Sequence, residues 1–276
     1  MKTITSTSNE KIKQAVGVRK DGFGRGAIFI EGARALETVL KARGVEFDRL
    51  FVTARFISKK EGELLAAEIT SRGAEAFIVS DEVMRKLSDT QSPQGAVALA
   101  GMEEKRLESI KPSQTKSGEI NPDSKYFIVA LDGLSEPGNV GAVVRAADAF
   151  GADAVVALSG TSDPFSPKAV RASAGSIFNV PVIICGRGEF IKWCKAQNIS
   201  IMAASPRGGK AVFAADLTGR LAVIFGGEAE GVSGELESAA QGLIHVPMPG
   251  RAESLNVAQS AAICLYECQR QRRAAT

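Results

Sequence analysis

Apolar and polar positions switch between two periods along most of this chain, and the switching marks out its elements. Residues 27–30, 49–52, 76–79 and 96–100 are short apolar runs of strand length. Between them, residues 32–43 put Ala35, Leu36, Val39 and Leu40 on one helical face, and residues 58–71 read as a second helix carrying Leu64, Leu65, Ala67 and Ile69. Asp81 reads as the cap of a third helix running to Leu87, and residues 3–20 read as one helix capped by Ser8 or Asn9, with Ile12, Ala15 and Val16 inward. This alternation predicts a small three-layer α/β domain over residues 1–102. Residues 103–125 carry few apolar positions and two prolines, and read as a linker.

Residues 126–276 form the second expected domain. The run 126–131 suits a strand buried on both faces, after which Pro137, Gly138 and Asn139 turn the chain into a helix over 140–150. Further strands fit 154–158, 182–184, 200–204, 221–225 and 242–246, with helices near 166–174, 188–197 and 234–240. Ser254 and Asn256 are good N-cap residues for a last helix, whose Val257, Ala261, Cys264, Leu265 and Cys268 share one face. Strand and helix alternate throughout, so the fold class is α/β with a mostly parallel sheet, helices on both faces and ligands at the C-terminal strand ends.

Composition adds limits more than direction. The 276 residues are 45% hydrophobic and 24% charged, as in a globular protein. No apolar run reaches the roughly 18 residues of a membrane span, and the first residues lack a signal-peptide core, so a cytoplasmic protein without a membrane partner is expected. Cys185, Cys194, Cys264 and Cys268 form no CxxC pair, and no second ligand cluster accompanies Cys264 and Cys268. They read as buried free thiols in a reducing compartment, with no metal site. Net charge is only +3. Lys2, Lys11, Lys13, Arg19, Lys20 and Arg25 nevertheless outweigh Glu10 and Asp21 near the start, either as a phosphate-contacting arm or as a solvated helix face. The loop 20–26 is rich in glycine but lacks the ending of a P-loop. Gly133, Gly138 and Gly141 do not make a dinucleotide fingerprint, and no clear acidic residue ends the second strand of that domain, which disfavours a nicotinamide enzyme.

Three stretches carry more specific information: 131–151, with Pro137-Gly-Asn139 and Arg145; 223–233, with Gly226-Gly-Glu228; and 246–266, with Pro247-Met-Pro-Gly250, Ser254 and Asn256. In order and spacing they resemble the three signature motifs of the SpoU (TrmH-type) RNA ribose 2′-O-methyltransferases of the SPOUT group. Ile30-Glu-Gly32 and the stretch 87–95 resemble the substrate-binding domain attached to many of these enzymes.

The resemblance implies a deep trefoil knot in the C-terminal domain, an RNA-binding N-terminal domain, S-adenosylmethionine as cofactor and a homodimer joined through the knotted domain. It implies Arg145 as the central catalytic residue, with Asn139 fixing Arg145 or the RNA, Glu228 positioning Arg145, and Ser254 and Asn256 at the mouth of the same site. It implies cofactor contacts from Ser205, Gly226, Gly227, Val246, Met248, Leu255 and Asn256. Lys168 and Arg171, in a further matching stretch at 163–175, join Lys11, Arg19 and Arg25 as expected RNA contacts. Two departures stand at Gly227, where many relatives carry Asn or Ala, and at 229–231. A free arginine stays protonated, so Arg145 acts either with help from an RNA phosphate or by stabilising a developing alkoxide. The single histidine, His245, lies inside an expected strand and is not favoured as the base. Ribosomal RNA is the favoured substrate and transfer RNA the second. A non-catalytic RNA-binding or ribosome-assembly protein is the rival from another class.

Overall fold

Phe29, Phe51 and Phe77 stand on three strands of one sheet and are almost wholly buried, and the first half of the chain is layered around them. The computed structural model describes residues 1–22, 26–42, 44–112, 125–206 and 208–274. It divides into two compact units, Met1–Glu104 with Phe165–Phe178, and Lys105–Pro164 with Asn179–Thr276.

The first unit runs β1 (Lys2–Ile4), α1 (Glu10–Asp21), β2 (Ala27–Glu31), α2 (Ala33–Lys41), β3 (Val45–Thr53), α3 (Ala54–Ile57), α4 (Lys60–Ser71), β4 (Glu75–Val79), α5 (Asp81–Leu87) and β5 (Ala96–Met102). Its sheet has the order β1-β4-β3-β5-β2, with β5 antiparallel to both neighbours. Strand side chains alternate between faces. Phe29, Phe51, Phe77 and Val97 pack with Ile12, Ala15 and Val18 of α1 and with Val83, Met84 and Leu87 of α5. Helices α2 and α4 pack against each other.

Two expectations are corrected here. The helix expected over 3–20 starts only at Glu10, capped by Asn9, whose side chain accepts from the Lys11 N–H at 2.9 Å. Lys2–Ile4 pairs instead with β4 as an edge strand, and Val18 rather than Val16 completes the buried face. Ser80, not Asp81, caps α5 through its hydroxyl.

The second unit runs β6 (Phe127–Asp132), α6 (Pro137–Ala149), β7 (Ala154–Leu158), α7 (Pro167–Ala172, packed within the first unit), β8 (Val182–Cys185), α8 (Arg187–Ala196), β9 (Ser200–Ala204), β10 (Lys210–Ala211), β11 (Leu221–Gly226), α9 (Gly234–Ala239), β12 (Gly242–His245) and α10 (Val257–Ala274). Its seven strands lie in the order β10-β12-β9-β11-β6-β7-β8, and every pairing is parallel. Ile128, Ala130, Val156, Ala222 and Ile224 pack under Phe190, Trp193 and Cys194 of α8 and Leu236 of α9. Helix α6 lies along α10, which also touches β11. Such burial on both sides explains why these strands read as continuous apolar runs.

Part of the expected linker is not free chain. Lys105 bridges to Ile183, and Leu107 and Ile110 are buried in the second unit's core; residues 113–124 lie outside the described residues. Residues 165–178, inside the second domain by sequence, pack in the first unit, where Arg171 meets Glu31 and Asp89. Gly175 (φ +94°) lies so close to α2 that a Cβ there would stand 2.6 Å from the Thr38 Cβ. Among the described residues no helix is long and apolar enough to cross a membrane.

Candidate functional site

Parallel strands end together, and here the ends of β6, β11, β9 and β12 sit side by side: Asp132 is level with Gly226, and Ala204 with Ile244. Two glycines let the chain turn tightly above them. A Cβ on Gly226 would fall on the backbone of Gly231 and Val232, and one on Gly227 would stand 2.5 Å from the Gly133 carbonyl oxygen. The segment 226–233 is further held by Asp132, which is 1% exposed. One of its carboxylate oxygens accepts from Arg187 Nε at 2.6 Å and the other from the Ser233 N–H at 2.7 Å, while its carbonyl accepts from the Gly227 N–H at 2.9 Å. A buried, fully bonded carboxylate of this kind fixes three pieces of chain in one geometry.

Beside it stands Asn139, in the first turn of α6. Its Nδ2 donates to Glu228 Oε1 at 2.7 Å, and its Oδ1 accepts from Asn256 Nδ2 at 3.1 Å. Asn256 also caps α10, its own Oδ1 accepting from the Ala258 N–H at 2.9 Å. One amide therefore ties together residues from all three motif stretches. Ser254 does not share the capping. Glu228 is bonded to Asn139 and not to Arg145, which corrects the expected positioning of Arg145 by Glu228. Arg145 is exposed, about 120° around α6 from Asn139, and has no ion-pair or hydrogen-bond partner among the described residues. Asp148, one turn further along α6, accepts from Asn179 Nδ2 at 3.1 Å.

A cavity of about 380 Å³ opens over the strand ends. Ser205, Gly226, Gly227, Val246, Met248 and Leu255 all line it, as do Glu228 and Ser254, while Asn256 does not. Its chemistry fits S-adenosylmethionine in three respects. The volume lies in the range of small-ligand sites. Among the described residues, the backbone of 247–254 has no hydrogen-bond partner, so its N–H and C=O groups are free to read an adenine edge beside the apolar Val246, Met248 and Leu255. Glu228, Glu230 and Glu237 put three carboxylates on the wall, which suits a ligand carrying a sulfonium and an ammonium.

Sequence reasoning passed over Asp132 and Arg187, although a charged residue closing an apolar strand run was a legible signal. His245 ends β12, lines the cavity and places Nδ1 3.0 Å from the Gly208 carbonyl oxygen. Cys264 reaches the cavity too, but burial pushes its thiol up to about 12, and does the same for Cys194 and Cys268.

Of the expected RNA contacts, Lys168 is exposed and Arg25 lies outside the described residues. Three others are already engaged within the first unit. Lys11 pairs with Glu75, Arg19 donates to the carbonyls of Lys86, Leu87 and Ser88 at the end of α5, and Arg171 pairs with Glu31 and Asp89.

Residues 126–266 match the model of the SpoU rRNA Methylase family. The chain belongs to that family. Residues 9–98 match the MRM3-like substrate binding domain. Over 268 residues the chain is 28% identical to the Bacillus subtilis 23S rRNA (guanosine(2553)-2′-O)-methyltransferase RlmP, covering 96% of this chain and 98% of that one. A crystal structure of an RNA 2′-O ribose methyltransferase is 36% identical, covers 98% of this chain and 99% of its own, and superposes with a TM-score of 0.79. The AdoMet-bound rRNA methyltransferase from Sinorhizobium meliloti is 28% identical, with 98% and 97% covered and a TM-score of 0.83. As a SpoU methylase the protein transfers methyl groups from S-adenosylmethionine to RNA.

Two outcomes follow from this SpoU site. Asp132→Asn leaves Arg187 facing a neutral amide and loosens 226–233, so unfolding free energy falls by about 3 kcal/mol and cofactor binding weakens; wild-type values in both thermal melts and calorimetry would contradict it. Thiols raised from 9 to about 12 lose thiolate at any pH below that value, roughly a thousandfold at neutrality. Iodoacetamide at pH 7.5 should therefore leave Cys194, Cys264 and Cys268 unmodified by mass spectrometry, with methyl transfer undiminished.

Proposed function

We propose that the protein methylates the ribose 2′-hydroxyl of a nucleotide in ribosomal RNA, with Asn139, Arg145, Glu228, Ser254 and Asn256 forming its catalytic site. The observation that carries this reading is the amide of Asn139, bonded at once to Glu228 and Asn256 next to a cavity of cofactor size. When bound, S-adenosylmethionine supplies a methyl carbon on a sulfonium leaving group. The chain's task is to hold the ribose oxygen in line with that carbon and to take up or stabilise what the lost proton leaves behind.

Arg145 has no hydrogen-bond or ion-pair partner among the described residues, so its guanidinium can stabilise the developing alkoxide or grip the adjoining phosphate. Glu228 and Asn256 hold the Asn139 amide in one orientation, and Ser254 stands at the cavity wall where ribose and cofactor meet. Ribosomal RNA is preferred over transfer RNA because RlmP and the Sinorhizobium meliloti enzyme, which this chain matches over nearly their whole length, are rRNA methyltransferases by name. The close approach of Gly226 and Gly227 to neighbouring backbone supports a deep trefoil knot here. Exposed Ile263 and Tyr266 on α10, 41% and 57% accessible, support a homodimer through this unit. The cytoplasm is the expected location.

Labelled S-adenosylmethionine with unmodified ribosomal RNA tests this reading. Label should appear as 2′-O-methylribose, and Arg145→Ala should lower kcat at least a hundredfold while calorimetry shows cofactor binding intact. Transfer to transfer RNA alone would overturn the substrate choice, and full activity in the variant would overturn the role of Arg145.

A further inference from the structure

The first unit carries a cleft of its own, about 690 Å³, between α3, α4, α5 and the loop 91–95. Arg55, Lys59 and Arg85 line it, all exposed and without a hydrogen-bond or ion-pair partner among the described residues. They differ in this from Lys11, Arg49 and Arg72 of the same unit, which are ion-paired. Glu37, Glu61 and Asp81 share the cleft, yet none closes on the three cations. Both signs of charge thus remain for a ligand that brings anions and hydrogen-bond donors together.

Between them stands Phe56, half-buried and pinned from three sides. Thr53 Oγ1 accepts from its N–H at 3.2 Å, a Cβ on Gly95 (φ +85°) would stand 3.3 Å from its Cβ, and a Cβ on Gly62 would fall on its carbonyl. Gln91 and Gln94 present amides from the facing loop. A fixed aromatic face, two side-chain amides and three unpaired cations are the parts that bind an unstacked nucleotide.

We propose that this cleft takes one unpaired nucleotide of the RNA substrate, its base on Phe56 with Gln91 and Gln94 at the base edge, and its flanking phosphates on Arg55, Lys59 and Arg85. This rests on the RNA-methyltransferase reading. The carboxylates of Glu37, Glu61 and Asp81 accept from base amino groups and repel a continuous run of phosphates, so the cleft selects a splayed single strand over a duplex.

The test is filter retention of an unmodified 23S rRNA transcript by the full chain over a salt series, without cofactor. The combined variant Arg55→Ala, Lys59→Ala, Arg85→Ala should weaken binding tenfold or more and reduce the slope of log affinity against log salt by about 2, for three lost phosphate contacts on a single strand. Phe56→Leu should weaken binding about tenfold with the slope unchanged, and both variants should bind S-adenosylmethionine as wild type does. Wild-type affinity and slope in the triple variant would overturn the proposal, as would a wild-type chain that does not retain the transcript. RNA binding that depends on these residues without any methyl transfer would instead overturn the enzymatic reading and leave the cleft standing.

Discussion

The site depends on one side-chain amide. Asn139 can donate and accept at the same time, and it uses both capacities across large sequence separations, 89 residues to Glu228 and 117 to Asn256. Neither contact lasts unless the backbone beneath has already brought the segments together, since closing such loops costs conformational entropy that one hydrogen bond of about 1 kcal/mol cannot offset. The parallel sheet does that work. By placing β11 beside β6 and β9, and β12 beyond β9, it gathers the strand ends from which the motif loops leave. Asp132 then locks the loop after β11 through Arg187 and the Ser233 N–H, so the amide network rests on a fixed floor.

This layering divides the labour of the site. Burial at Asp132 gives rigidity, whereas Asn139, Glu228, Asn256 and Arg145 remain within reach of solvent and of an incoming RNA. The loop 247–254 is the complementary case. Its prolines prevent regular structure and its backbone finds no partner among the described residues, so its polar groups are satisfied by solvent or ligand. A cofactor cavity lined by unpaired backbone on one wall and carboxylates on another suits a flat heterocycle attached to a cationic tail.

Most elements are legible in the sequence because two-faced burial writes itself as apolar runs, as in 127–132 and 154–158, and because Asn256 sits where the last helix starts; α6 begins at Pro137, three residues before its expected start. Lys2–Ile4 is not: three residues with one buried side chain carry no period, and only pairing with β4 makes them a strand. The partners of Lys11, Arg19 and Arg171 are equally hidden, because ion pairs and carbonyl contacts link residues distant in sequence. The cavity residues Ser205, Gly226, Gly227, Val246, Met248 and Leu255 follow from motif resemblance, and the structure brings them to one cavity. No local pattern joins Asn139 to Glu228, so the contact that replaces the expected pairing of Glu228 with Arg145 is visible only in three dimensions.

A double-mutant cycle on Asn139→Ala and Asn256→Ala, read as kcat/KM for methyl transfer, tests most directly whether the amide network is what assembles the site. If it is, the double variant loses little more activity than either single one, with a coupling energy on the order of 1 kcal/mol or more. Losses that simply add would mean that the two residues act independently, and that something other than their contact holds the three segments in place.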